Sequence, residues 1–132
     1  MTTIAYKDGV LAADTRVTQD GIVLPSTSKI VKRDTTSVAI CGELSVIQAY
    51  RKDQKWDLLS KEVPWEALTC GGYLIDSDGA TLTIPDGDFW AIGSGAHFAL
   101  GAMAAGATPE EAVKIAARYD TGTNDTVETA WR

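Results

Sequence analysis

The chain has 132 residues, of which 45% are hydrophobic, a composition that suits one globular domain. It carries 12 Lys and Arg against 18 Asp and Glu, a formal net charge of −6. This acidity argues against nucleic-acid binding and against anionic membrane surfaces. No apolar run approaches the roughly 20 residues of a membrane span. The amino terminus lacks the pattern of a signal peptide, so we expect a cytoplasmic protein.

Two cysteines and one histidine are the only residues of their kinds. Cys41 and Cys70 are not in a metal-like spacing, so we expect reduced thiols in or near the core. A lone His97 in a run of small residues favours a structural or exposed side chain and gives no basis for a Ser–His–Asp triad. We expect neither a cofactor nor a metal site.

The first predicted element is a β-hairpin. Two short β-prone runs, residues 2–6 and 10–13, flank a Lys-Asp-Gly turn of the kind that tight hairpins use. A hairpin returns the end of its second strand to the start of its first. We therefore expect Asp14 and Arg16 to lie beside Thr2.

The rest of the chain is predicted to alternate between strands and helices. In chain order we predict strands at residues 29–32 and 37–41, a helix from 44 to about 54, short helical pieces within 55–69, a hairpin at 72–84, a strand at 89–92, helices at 96–105 and 109–119, and a strand at 126–131. The last helix has the clearest start, with Thr108 as N-cap, Pro109 in the first position and Glu111 completing a capping box. Grouped strands with helices between them predict two sheets covered by helices, an α+β fold in a single domain spanning residues 1–132.

The Thr2-Thr3-Ile4 start and the Ala-Ala-Asp-Thr-Arg sequence at residues 12–16 resemble the proteasome β-subunit and HslV family of threonine peptidases. These proteins are N-terminal-nucleophile hydrolases, and the resemblance implies an αββα sandwich. The usual hairpin is longer, but a deletion shared between its two strands keeps Asp14 on the same face. The family also carries more helix between the counterparts of Gly42 and Gly71. We therefore expect a shortened member with one reduced helix layer.

The resemblance implies a set of catalytic residues. Removal of Met1 leaves Thr2 with a free amine beside its hydroxyl, so Thr2 is the expected nucleophile and its own amine the general base. Asp14, Arg16 and Lys29 are expected around it, with Lys29 next to the hydroxyl. Alternatively, the threonine simply starts a strand, and Lys29 is a solvated surface lysine.

The resemblance assigns three further positions. Alignment of Gly42-Glu43 with a Gly-Asp pair of the family places Ala39 at the oxyanion position, where a backbone N–H suffices. Ser94 matches a serine that hydrogen-bonds the terminal amine, and Asp125 is the expected aspartate near that serine. Alternatively, Gly-Ser-Gly at 93–95 is a plain strand-to-helix turn.

The resemblance also implies assembly. We expect a homo-oligomeric ring or stacked rings that act on peptides or unfolded proteins, and an ATP-dependent unfoldase is a candidate partner that the sequence leaves open. Trp56, Leu59, Val63 and Trp65 are expected at a subunit boundary; alternatively, the tryptophans cover the sandwich core. The alternative hypothesis for the whole chain is that it is an inactive, self-assembling structural subunit that retains Met1. Relatives that bind a cation do so at the position of the loop 119–124, but this sequence gives that site only weak support.

Overall fold

Two antiparallel sheets lie face to face at the centre of the fold. The structure is a computed structural model and describes residues 2–32, 36–53 and 62–131. Its strands are β1 (Ile4–Lys7), β2 (Val10–Asp14), β3 (Thr18–Gln19), β4 (Ile22–Val23), β5 (Ile30–Lys32), β6 (Ser37–Cys41), β7 (Glu66–Thr69), β8 (Tyr73–Asp76), β9 (Thr81–Thr83), β10 (Phe89–Ile92) and β11 (Val127–Trp131), and its helices are α1 (Leu44–Asp53), α2 (Ala96–Ala104) and α3 (Pro109–Tyr119). The first sheet has the order β10-β1-β2-β11 and the second the order β5-β6-β7-β8-β9, while β3 and β4 form a separate ribbon.

The amino-terminal hairpin is buried on both of its faces. Ile4 and Leu11 point into the core between the two sheets, whereas Ala5 and Ala12 point toward α2 and α3. Successive side chains of a strand alternate between faces, so a strand between two layers is apolar at every position. The predicted turn is present, with positive φ angles at Asp8 and Gly9 that match a tight hairpin turn.

Helices cover the outer face of each sheet. Ala99, Met103 and Val113 of α2 and α3 pack on the first sheet, and Ile47 and Tyr50 of α1 pack on the second. The order is therefore helix, sheet, sheet, helix, with a single helix over the second sheet among the described residues. The predicted αββα sandwich with one reduced helix layer is confirmed. None of the described helices is long and apolar enough to cross a bilayer.

The helix boundaries near the carboxyl end follow the local sequence signals. The Thr108 hydroxyl accepts from the Glu111 N–H at 3.2 Å, and the Glu111 carboxylate accepts from the Thr108 N–H at 2.9 Å. This is the predicted capping box, with Pro109 in the first turn. Gly106, at φ +107°, follows the end of α2, a backbone conformation that glycine adopts without strain.

The prediction of helical pieces within residues 55–69 is wrong for residues 66–69, which form β7. Ala67 packs with the α1 core and Leu68 with the core between the sheets, the alternation of a strand buried on both faces. Residues 54–61, including Trp56 and Leu59, lie outside the described residues. Trp65 is 5% exposed and packs under α1, so this tryptophan covers the core and is not an exposed boundary residue.

The junction between β1 and α2 leaves no room for a side chain at residue 95. A Cβ atom at Gly95 would lie 2.0 Å from the Thr3 hydroxyl oxygen and 3.2 Å from both Ala116 Cβ and Asp120 Oδ2. We predict that Gly95→Ala lowers the free energy of unfolding by about 1–3 kcal/mol, since the buried Thr3 side chain has little freedom to move. Thermal or urea unfolding measures the change.

Gly101 on α2 is the matched control. Nothing lies within 4 Å of a Cβ added there, so Gly101→Ala should stabilise the protein by roughly 0.5–1 kcal/mol through helix propensity. Equal effects of the two substitutions would contradict the close packing described for Gly95.

Candidate active site

Four separate segments meet at one end of the space between the sheets. Thr2 precedes β1 and Asp14 ends β2, so the hairpin brings them together. Lys29 immediately precedes β5, and Ser94 lies in the turn between β10 and α2. Because β1 pairs antiparallel with both β2 and β10, the start of β1 lies beside the ends of β2 and β10.

Lys29 is the centre of the cluster. Its Nζ atom lies 2.8 Å from Thr2 Oγ1 and 2.7 Å from Asp14 Oδ1. The side chains of Lys29 and Asp14 are 1% and 0% exposed. The alternative of a solvated surface lysine is therefore wrong. Burial lowers the pKa of Lys29, and the charge and hydrogen bond of Asp14 offset this only in part. The ammonium group consequently gives up its proton more readily than an ordinary lysine does.

Asp14 is held by backbone donors as well as by Lys29. The N–H of Thr3 donates to Oδ1 at 3.0 Å, and the N–H groups of Arg16 and Asn124 donate to Oδ2 at 3.2 and 3.3 Å. A carboxylate with several donors keeps one orientation and tolerates burial as an anion. These contacts hold Asp14 Oδ1 in position to accept from Lys29 Nζ.

Arg16 contributes to the site through its backbone. Its guanidinium Nη1 donates to the Thr121 carbonyl at 2.9 Å, and thus ties β2 to the loop after α3. The sequence predicts Arg16 as a site residue, and in the structure its backbone N–H donates to Asp14. No described group pairs with its buried Nε atom.

Ser94 contacts the backbone nitrogen of Thr2, whereas Lys29 contacts its hydroxyl. The Thr2 nitrogen donates to Ser94 Oγ at 3.2 Å, and Ser94 Oγ donates to Asp120 Oδ2 at 2.6 Å. The expectation for Asp125 is therefore wrong in position, because Asp120 is the aspartate bonded to the serine. Gly93, at φ +98°, has no room for a side chain, since a Cβ would lie 2.0 Å from the Thr2 carbonyl oxygen. Residues 93–95 therefore form a turn that also contacts Thr2.

The Asp120 carboxylate accepts hydrogen bonds from three groups. Thr123 Oγ1 donates at 2.6 Å and the Gly122 N–H at 3.2 Å, in addition to Ser94. Burial raises the pKa of Asp120, but the hydrogen bonds from Ser94, Thr123 and Gly122 together outweigh it and lower the pKa below its ordinary value. Asp120 is therefore an anion near neutral pH, and it accepts the hydrogen bond that Ser94 Oγ donates.

Thr3, Thr123 and Asn124 were missed by the sequence analysis. Thr3 Oγ1 lies 2.7 Å from Thr123 Oγ1, and since Thr123 donates to Asp120, Thr3 is the donor in this pair. Asn124 accepts from the Thr15 N–H at 2.9 Å through its side chain. Thr-Gly-Thr-Asn after a helix is an ordinary turn sequence, and nothing in it indicates the contacts with Thr3 and Thr15.

The prediction of Ala39 as the oxyanion residue is wrong. The Ile40 N–H donates to the Lys29 carbonyl at 3.0 Å, toward β5. Because N–H groups alternate in direction along a strand, the Ala39 N–H points to β7, where Ala39 pairs with Leu68. Ala39 is also fully buried.

A cleft of about 860 Å³ opens beside Thr2. Its walls come from the β3–β4 ribbon, the end of β6 and the first turns of α1, and its lining residues are Thr2, Val17, Thr18, Gln19, Leu24, Lys29, Cys41, Gly42, Glu43, Leu44, Ser45, Gln48, Val63 and Pro64. Cys41 is a free thiol. Burial, and to a lesser extent Glu66, raise its pKa, which disfavours Cys41 as a nucleophile. Within the described ranges, no three His, Cys, Asp or Glu side chains are placed to hold a metal ion.

The buried ion pair predicts a dependence of stability on pH. The pKa of Lys29 is lowered in the folded chain, and loss of the Asp14 charge would lower it further. At pH values between this lowered pKa and the ordinary 10.5, the unfolded variant binds more protons than the folded variant does. Its free energy of unfolding therefore rises with pH, by at most about 1.4 kcal/mol per pH unit. We predict that Asp14→Asn gains stability, relative to wild type, as the pH rises from about 7 to 10.

Urea unfolding at several pH values measures this slope. The double variant Asp14→Asn/Lys29→Met is the control, since it lacks the titrating amine and should lose the added slope. An added slope that persists in the double variant would assign the effect to another group.

No protein-family model and no curated protein matches the chain. Among solved structures, it is similar to HslV from Trypanosoma brucei, at 18% identity and TM-score 0.74, over 98% of this chain and 97% of that chain. It is also similar to BPH from Thiobacillus denitrificans in complex with epoxomicin, at 20% identity and TM-score 0.75, over 98% and 96% of the two chains. A second BPH structure matches at 20% identity and TM-score 0.74, over 98% and 95%. Over nearly its whole length, the chain has the fold of HslV and BPH, and the predicted resemblance to the proteasome β-subunit and HslV family is confirmed at the level of the fold.

Proposed function

We propose that this protein is a threonine-type endopeptidase in which Thr2, once Met1 is removed, is the amino-terminal nucleophile. The observation that carries the proposal is the 2.8 Å contact between Lys29 Nζ and Thr2 Oγ1 within a buried ion pair. An ammonium group in that position stabilises the developing alkoxide of the hydroxyl.

The reaction follows from the two groups of one residue. The free amine of Thr2 takes the hydroxyl proton, and Oγ1 attacks the peptide carbonyl carbon. The C–N bond of the tetrahedral intermediate then breaks, and the amine passes its proton to the leaving nitrogen. Water hydrolyses the resulting ester with the amine again as base, which restores Thr2.

Gly42 is the candidate for oxyanion stabilisation. Gly42 directly follows β6 and lines the same cleft as Thr2 and Lys29. A backbone N–H needs no side chain for this task. Gly42 thus takes the place expected of Ala39.

Ser94 and Asp120 orient the amine. Ser94 Oγ donates its hydrogen bond to Asp120, so the lone pairs of Ser94 Oγ face the Thr2 nitrogen. This arrangement holds the amine by its N–H and leaves its own lone pair for the hydroxyl proton. Ser94 and Asp120 are positioning residues in this scheme.

We also propose that the protein works in the cytoplasm as a homo-oligomeric ring or stacked rings, on peptides or unfolded proteins, with an ATP-dependent unfoldase as a partner. The support is the likeness of fold to HslV and to BPH, together with the exposed side chains of Phe98 and Tyr119 on the helix layer. The competing function is an inactive self-assembling subunit that keeps Met1. The mass of the purified protein separates these two outcomes, since only the peptidase requires loss of Met1.

The chemistry predicts a clear ranking of variants. In protein cleaved from a fusion so that Thr2 is first, Thr2→Ala should abolish hydrolysis of fluorogenic peptides, and Lys29→Ala should lower kcat by roughly 100-fold or more. Epoxomicin, with which BPH was crystallised, should add its mass to wild type but not to Thr2→Ala protein.

Lys32 supplies the matched control for Lys29. It lies on β5, three residues beyond Lys29, and is exposed, so Lys32→Ala should keep wild-type activity. Peptidase activity that survives Thr2→Ala would refute the nucleophile assignment. A processed wild type with neither turnover nor an epoxomicin adduct would favour the inactive subunit.

A further inference from the structure

The residue before Lys29 is anchored from two other layers of the fold. Ser28 Oγ lies 2.5 Å from Glu128 Oε2 on β11, and the Ser28 carbonyl accepts from Arg51 Nη2 on α1 at 2.8 Å. A hydroxyl donating to a carboxylate at this distance is a strong, charge-assisted hydrogen bond. Neither Glu128 nor Arg51 was indicated by the sequence.

Three consecutive residues around Lys29 are therefore fixed in the backbone. The Ile30 N–H lies 3.4 Å from Ser28 Oγ, so the serine also bridges across Lys29. The Lys29 carbonyl accepts from the Ile40 N–H at 3.0 Å. Ser28 Oγ also lies 3.1 Å from the Ile30 carbonyl, but its single proton goes to the closer, charged acceptor Glu128.

Two links join this segment to neighbouring strands of the first sheet. Lys29 reaches Asp14 on β2, and Ser28 reaches Glu128 on β11. In the pairing of these strands, Val127 stands opposite Asp14 and Glu128 opposite Ala13. The first sheet therefore holds the Lys29 side chain through Asp14 and the backbone of the preceding residue through Glu128.

We propose that Ser28, held by Glu128 and Arg51, is the positioning residue that sets Lys29 Nζ against the Thr2 hydroxyl. The lysine side chain has four rotatable bonds, so the Asp14 contact alone leaves its backbone free to shift. Anchoring the preceding residue removes that freedom, and catalytic groups displaced by about 1 Å lose much of their effect. This inference rests on the proposed peptidase function for its kinetic consequence, but its geometric consequence is independent of activity.

The kinetic test uses processed protein. Ser28→Ala and Glu128→Ala should each lower kcat by roughly 10-fold or more and leave KM within about 2-fold, since the cleft is unchanged. Glu128→Gln keeps an acceptor for the serine proton and should recover most of kcat. Thr129→Ala on the same strand and Lys52→Ala beside Arg51 are controls and should keep wild-type kcat. Wild-type kcat in both Ser28→Ala and Glu128→Ala would overturn the proposal.

Crystal structures of wild type and Ser28→Ala give the readout that does not depend on activity. The proposal predicts that the distance from Lys29 Nζ to Thr2 Oγ1 lengthens beyond hydrogen-bond range in the variant. An unchanged distance would refute the positioning role, even for a protein without peptidase activity. A lengthened distance in an inactive wild type would leave the positioning role standing and count against the proposed function alone.

Discussion

The buried ion pair of Lys29 and Asp14 is the constraint on which the arrangement of this protein depends. Removing two charges from water costs several kcal/mol per ion, and only close pairing with additional hydrogen bonds repays it. Here the carboxylate receives three backbone N–H groups, from residues 3, 16 and 124, and the ammonium group meets a hydroxyl. The pair is stable only when the hairpin, the start of β5 and the loop after α3 are all in place.

This constraint explains why the site is assembled from so many segments. The hairpin supplies Thr2 and Asp14, the second sheet supplies Lys29, and the turn before α2 supplies Ser94. Each segment is anchored by a separate element of the sandwich. The site therefore requires both sheets of the sandwich.

The sequence predicted those parts of the fold that depend on local chemistry. The Asp8-Gly9 turn fixes the hairpin and therefore the meeting of Thr2 with Asp14, and the capping box at Thr108 fixes the start of α3. Lys29 was predicted only through the family resemblance, because nothing in its neighbours distinguishes a buried lysine from a surface one.

The errors fall where contacts join distant parts of the chain. Asp120 and Asp125 both follow α3, and only the path of the loop decides which one meets Ser94. Ala39 was aligned by the Gly-Glu pair that follows it, whereas the hydrogen-bond direction along β6 assigns its N–H to the sheet. The β7 segment was hidden because a strand buried on both faces has no polar alternation.

Detection of the covalent intermediate tests the central claim most directly. Processed protein mixed with a peptide ester and quenched in acid would be digested and analysed by mass spectrometry. The account predicts that the acyl group is found on the peptide that begins with Thr2, and at a much lower level in Lys29→Ala protein. Steady turnover with the acyl group on another residue, or with no acylated peptide under single-turnover conditions, would contradict it.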